Sequence, residues 1–123
     1  MVVALADRLE ALYAEGVLVQ DPQVKALLDS GAPVVTIVAK SDVRHVAEAL
    51  RTTPEENLAM VVDTVAHLVS MGRRVFVDYE HFFDGYRNDP DYGVALIQAA
   101  TAAGASVHVL CDTNGGCTPS RIT

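Results

Sequence analysis

Two rhythms of apolar residues alternate along this chain. Over residues 4–14, Leu5, Leu9 and Leu12 recur at helical spacing with Asp, Arg and Glu between them, which predicts a helix. Asp21-Pro22 offers an N-cap followed by proline at the first helical position, and Val24, Leu27 and Leu28 share one face. Gly31-Ala32-Pro33 ends that helix. Val34-Val35-Thr36-Ile37-Val38 is a near-continuous β-branched run without polar alternation, which predicts a strand near 33–39 buried on both faces. A short helix follows, with Val43, Val46, Ala47 and Leu50 aligned after Ser41-Asp42. Thr53-Pro54-Glu55-Glu56 reads as a capping box with proline in the first turn. It opens a long helix with Leu58, Val62, Val65, Leu68 and Val69 on one side, stopping near Gly72. Arg73-Arg74 leads into a second strand near 74–79. Asp89-Pro90 opens a helix to about Ala103, with Val94, Ile97 and Ala100 inward and Gly104 closing it. A third strand near 106–111 comes last.

The order β-α-α-β-α-β, with about 30 to 40 residues between strand starts, fits right-handed βαβ units in a parallel sheet. The fold class is therefore α/β, in one domain spanning residues 1–123, with no repeat beyond the βα unit. Half of the residues are apolar, enough for one modest core. A net charge of −7 with scattered Lys and Arg argues against nucleic acid and anionic membranes as partners. No apolar run approaches the roughly 20 residues of a membrane span, and the N-terminus lacks a signal-peptide pattern. A cytoplasmic protein is expected. Cys111 and Cys117 fit neither a disulfide framework nor a zinc pattern, and Cys111 reads as a small core hydrophobe closing a strand.

The chemistry gathers just past two strands. Val75-Phe76-Val77-Asp78-Tyr79 runs into Glu80-His81-Phe82-Phe83-Asp84-Gly85-Tyr86, and Val107-His108-Val109-Leu110-Cys111 runs into Asp112-Thr113-Asn114-Gly115-Gly116. Polar groups beyond the C-terminal ends of buried parallel strands are how α/β enzymes build active sites. The run from Glu80 to Tyr86 resembles the fifth strand and loop of citramalate synthases, Cys111-Asp112-Thr113-Asn114-Gly115-Gly116 resembles the sixth, and Lys40-Ser41 with His45 resembles the fourth. Glu48-Ala49-Leu50-Arg51-Thr52-Thr53 and Glu55-Glu56-Asn57-Leu58-Ala59-Met60 resemble the segment between. The resemblance covers about residues 22 to 119 and leaves residues 1–21 unassigned, apart from a possible match of 1–12 to the family's first helix.

That resemblance implies a partial (β/α)8 barrel of the pyruvate carboxyltransferase type, shared with isopropylmalate and homocitrate synthases and with hydroxymethylglutaryl-CoA lyase. The implied reaction is (R)-citramalate synthesis: acetyl-CoA condenses with an α-keto acid, pyruvate, and the thioester is hydrolysed, in isoleucine biosynthesis. A divalent metal (Mg, Mn or Zn) would serve the complete enzyme. Its ligands belong to a first-strand Asp-Thr-Thr-Leu-Arg-Asp-Gly-type motif and a His-x-His pair, and neither is in this chain, so no residue here is expected to bind metal. The chain looks like the middle of a barrel, inactive alone, and its free strand edges predict a homo-oligomer such as a dimer. Other readings are another family member, including a CoA-dependent carbon–carbon lyase, or an inactive βα module. Asp42 stands where the family has an aromatic, Tyr79 where it has a small residue, and Ala39 where it has glycine.

By the same resemblance Glu80 is the catalytic carboxylate, taking a proton from the acetyl methyl or orienting the water that does. Partial burial is expected to raise its pKa. Thr113 can donate to the keto acid's carboxylate or serve as a turn threonine. His81 and His45 touch substrate or a supporting partner, or are hydrogen-bonded structural histidines. Lys40 can hold CoA phosphates or a carboxylate. Asp112 joins the substrate-binding set, as an orienter of backbone amides or of a neighbouring side chain rather than as a metal ligand. His67 and His108 read as structural. Phe82, Phe83 and Tyr86 wall a pocket or pack beneath the loop, and Asp84-Gly85 reads as turn chemistry.

Overall fold

The computed structural model describes residues 22–123. The helix expected over residues 4–14 and the Asp21 cap lie outside them. Nine elements follow in order: α1 (Pro22–Asp29), β1 (Val34–Lys40), α2 (Val43–Ala49), α3 (Pro54–Ser70), β2 (Arg74–Glu80), α4 (Phe82–Asn88), α5 (Pro90–Ala103), β3 (Val107–Leu110) and α6 (Pro119–Ile122). The three strands form one parallel sheet in the order β1-β2-β3. Neighbouring strands that are also neighbours in sequence, joined by helices, are the layout expected of a partial (β/α) barrel.

Local chemistry sets the boundaries. Thr53 Oγ1 accepts from the Glu56 amide while the Glu56 carboxylate accepts from the Thr53 amide, completing the capping box that starts α3. Asp89 caps α5 by accepting from the Tyr92 amide at 3.1 Å, and Gly104, at φ 112°, closes it.

The core lies on one side of the sheet. Val35, Ile37 and Ala39 of β1 and Val75, Val77 and Tyr79 of β2 face Val24, Val46, Val61, Val65, Leu68, Leu96 and Ala100 of the helices. The opposite face is open: Val34 is 39% and Val38 is 38% exposed, and Thr36 is exposed between them. This corrects the expectation of strands buried on both faces. A β-branched run reports that both faces are apolar, but helices crossing between parallel strands on one side can cover one face only. In a barrel the second face would look into the lumen and be covered by the strands opposite.

Three smaller corrections follow from packing. Val94 of α5 points outward at 43% exposure, and the buried residues of that helix are Tyr92, Gly93, Leu96 and Ala100. Val69 of α3 is likewise exposed, while Asn57, Met60, Val61, Thr64, Val65 and Leu68 are buried. Asp84-Gly85 is not a turn but the middle of α4. Gly85 is needed there because the helix lies directly on the β1–α2 connection. An added methyl would overlap the Ser41 carbonyl oxygen and come within 2.9 Å of Asp42 Cα.

Candidate functional site

The three strands deliver their C-terminal ends to one rim. Lys40, the last residue of β1, is the register partner of Glu80, the last residue of β2. The β3 ladder continues one step beyond Leu110, since the Cys111 amide donates to Tyr79 O at 3.2 Å and the Phe82 amide to Cys111 O at 3.1 Å. Residues two apart share a face, so Lys40 and Glu80 stand on the open face with Val38 and Asp78 beneath them.

Lys40 and Glu80 meet directly. Lys40 Nζ donates to Glu80 Oε2, and the two side chains are 27% and 28% exposed. The ammonium holds the Glu80 carboxyl below its ordinary value, outweighing the opposing effect of burial. This reverses the upward shift expected from burial alone, because a hydrogen-bonded cation stabilises the charged form more than partial desolvation penalises it. Lys40 is correspondingly a partner of Glu80 rather than a free cation at the rim.

The β2 and β3 loops are tied together. Thr113 Oγ1 accepts from the His81 amide at 2.9 Å, and Asn114 Nδ2 donates to Asp84 Oδ2 at 2.7 Å. Thr113 and Glu80 thus lie at the same end of the sheet. His81 takes a left-handed conformation, φ 56° and ψ 35°, rare for a residue with a side chain. Its ring meets His45 edge-on with centroids 4.4 Å apart, and its Nδ1 is buried without a hydrogen-bond partner. Asp112 turns its carboxylate to the backbone, accepting from the Cys117 amide at 2.9 Å, while its carbonyl accepts from the Gly115 amide. The rim thus brings together Lys40, Glu80, His81, His45 and Thr113, with Asp112 shaping the loop beside them.

Cys111 is half-buried rather than a core residue. Burial, with the carboxylates of Asp78 and Glu80 nearby, raises its thiol pKa. Phe82 enters the core, whereas Phe83 and Tyr86 wall a cavity of about 500 Å³ with Arg87, Pro90, Cys117 and Arg121. His108 sits between the hydroxyls of Tyr79 (2.7 Å) and Thr101 (2.9 Å), as befits a structural histidine.

The sequence reading missed the residues that hold the rim. Asn57, fully buried on α3, donates from Nδ2 to Lys40 O at 2.9 Å and to the Tyr92 hydroxyl at 2.7 Å. Ser41 Oγ donates to Glu80 O at 2.7 Å. The available signal was an amide in line with the stripe Val61, Thr64 and Leu68, since a polar group on a buried helix face requires a fixed partner.

No family model matches the chain. Over 103 residues it is 66% identical to the (R)-citramalate synthase of Streptomyces coelicolor, covering 84% of this chain and 19% of that protein. It is 52% identical to the (R)-citramalate synthase of Synechocystis sp. over the same shares. The matched segment is citramalate/isopropylmalate synthase-like. A 2-isopropylmalate synthase of Synechococcus sp. is 37% identical, covering 80% of this chain and 18% of that protein. The citramalate synthase-like segment thus spans about a fifth of the length of the curated relatives it matches. Among its described residues no three His, Cys, Asp or Glu side chains converge as a metal shell, so these residues do not by themselves fit a catalytic metal. Among the same residues no helix is long and apolar enough to cross a membrane.

Proposed function

We propose that this chain supplies the middle of the catalytic rim of an enzyme that condenses acetyl-CoA with an α-keto acid, pyruvate in the citramalate case, and then hydrolyses the thioester. The likeness to (R)-citramalate synthases carries this reading. Glu80 acts as the base. Its carboxylate, ionised beside Lys40, takes a proton from the acetyl methyl, directly or through a water. The C–H electron pair passes into the thioester as an enolate, whose carbon attacks the keto carbon. The carbonyl π pair moves onto the keto oxygen, and that alkoxide takes up a proton to become the hydroxyl. Such positioned proton transfer contributes about 10²–10⁴-fold to rate.

Thr113 suits the keto acid's carboxylate, because its oxygen is taken by the His81 amide and its hydroxyl hydrogen remains available to donate. His81 and His45 border the same space, and Asp112 holds the loop that presents Thr113. A divalent metal, with ligands outside the described residues, and a homo-oligomer belong to the same reading. The likeness to 2-isopropylmalate synthase favours a second reading, in which an isopropyl-bearing keto acid replaces pyruvate. Competition between the two keto acids distinguishes them.

The test is Glu80→Gln in a chain extended to a full barrel, measuring release of the CoA thiol. Condensation is expected to fall by about 10²–10⁴-fold. A near-normal rate would remove Glu80 from the chemistry.

A further inference from the structure

We infer that Lys40 is a positioning residue for Glu80, fixing where the carboxylate points and supplying its counter-charge, and is not a ligand for the keto acid or for CoA. The inference rests on the reading of Glu80 as the base.

The backbones of both residues are pinned before their side chains meet. Asn57 Nδ2 holds the Lys40 carbonyl, and Ser41 holds the Glu80 carbonyl through Oγ at 2.7 Å and its amide at 3.4 Å. Register then places the two side chains side by side on the open face. With about a quarter of each exposed, the pair is screened less than a surface ion pair, yet it remains open to a substrate arriving at the rim. The charged and titratable groups around Glu80 are Lys40 from β1, His45 from α2, the adjacent His81, Asp78 beneath it, and Cys111 beyond β3. Among the described residues, Lys40 is the one permanent cation bonded to it. A substrate anion that captured Lys40 would strip Glu80 of this partner and leave it one step above Asp78 on the same face.

Carboxyl-13C NMR of the intact chain reads the pairing directly, with the Glu80 signal assigned through Glu80→Gln. In Lys40→Met the Glu80 titration midpoint is expected to rise by about one pH unit, while Lys40→Arg keeps it near the native value. Adding pyruvate to the native chain is expected to leave it in place. An unchanged midpoint in Lys40→Met overturns the inference, and so does a rise on adding pyruvate that Lys40→Met abolishes. If Lys40→Met does not fold, Lys40→Gln carries the same comparison. The titration is independent of turnover, so it answers the pairing whatever Glu80→Gln does to condensation.

Discussion

At the scale of single residues, the rim depends on two positions whose backbone leaves little choice. Gly85 lets α4 lie against the carbonyl of Ser41, the residue that also holds Glu80 O. Gly85→Ala is therefore expected to destabilise the chain by about 1–3 kcal/mol, the range for forcing bulk into a close-packed contact, and to move the Glu80 backbone with it. Urea unfolding with a two-dimensional amide spectrum checks both effects; an unchanged midpoint would mean that α4 relaxes freely. His81 is the second such position. Its left-handed backbone costs on the order of 1–2 kcal/mol, and the bond from its amide to Thr113 helps hold that conformation. A strained residue stitched to the neighbouring loop at a candidate functional rim is where such strain is expected to persist.

At the scale of elements, Tyr79 of β2, His108 of β3 and Thr101 of α5 form one hydrogen-bonded chain through the sheet and the helix behind it. Burial lowers the His108 pKa from its ordinary 6.5 and raises that of Tyr79. The direction for His108 fixes the pH dependence. A histidine whose folded pKa lies below the unfolded one resists protonation in the native state, so its stability contribution is complete above pH 6.5 and is lost as pH falls below it. Asp42, held below its ordinary 3.8 by Arg44, adds a second loss at more acidic pH. Denaturant unfolding is expected to show lower stability at pH 5 than at pH 7, with the difference reduced in His108→Gln. Equal stability at the two values would remove His108 from the account.

At the scale of the whole molecule, the decisive feature is a sheet that the described helices cover on one side only. Ile37 faces the helices at 3% exposure, while Val38, one residue later, stands on the open face. Ile37→Ala is expected to cost about 2–5 kcal/mol, whereas Val38→Thr stays within about 0.5 kcal/mol. Urea midpoints of the two variants make the comparison, and similar losses would show that something covers the open face in solution. β1 and β3 each present an unpaired edge within the described sheet, which invites further pairing. Both the free edges and the open apolar face are what a segment of a closed barrel has to offer.

The sequence by itself determined the three strands, the helices α1, α2, α3 and α5, the parallel order and the rim, but not the short helices α4 and α6. Caps and glycines are local devices, so Thr53, Asp89 and Gly104 marked their boundaries correctly. Polar residues directly after a strand arrive at its C-terminal end in any parallel sheet, so Glu80 and Thr113 could be placed together before any coordinates. Register and covering were not local. Whether Val38 meets a helix or solvent depends on elements distant in the chain, and apolar composition carries no record of which face they cover. Only the tertiary structure brought Lys40 within reach of Glu80, across 40 residues of sequence. That contact turned the carboxyl's shift downward, because a paired charge nearby outweighs the partial burial that the sequence suggested.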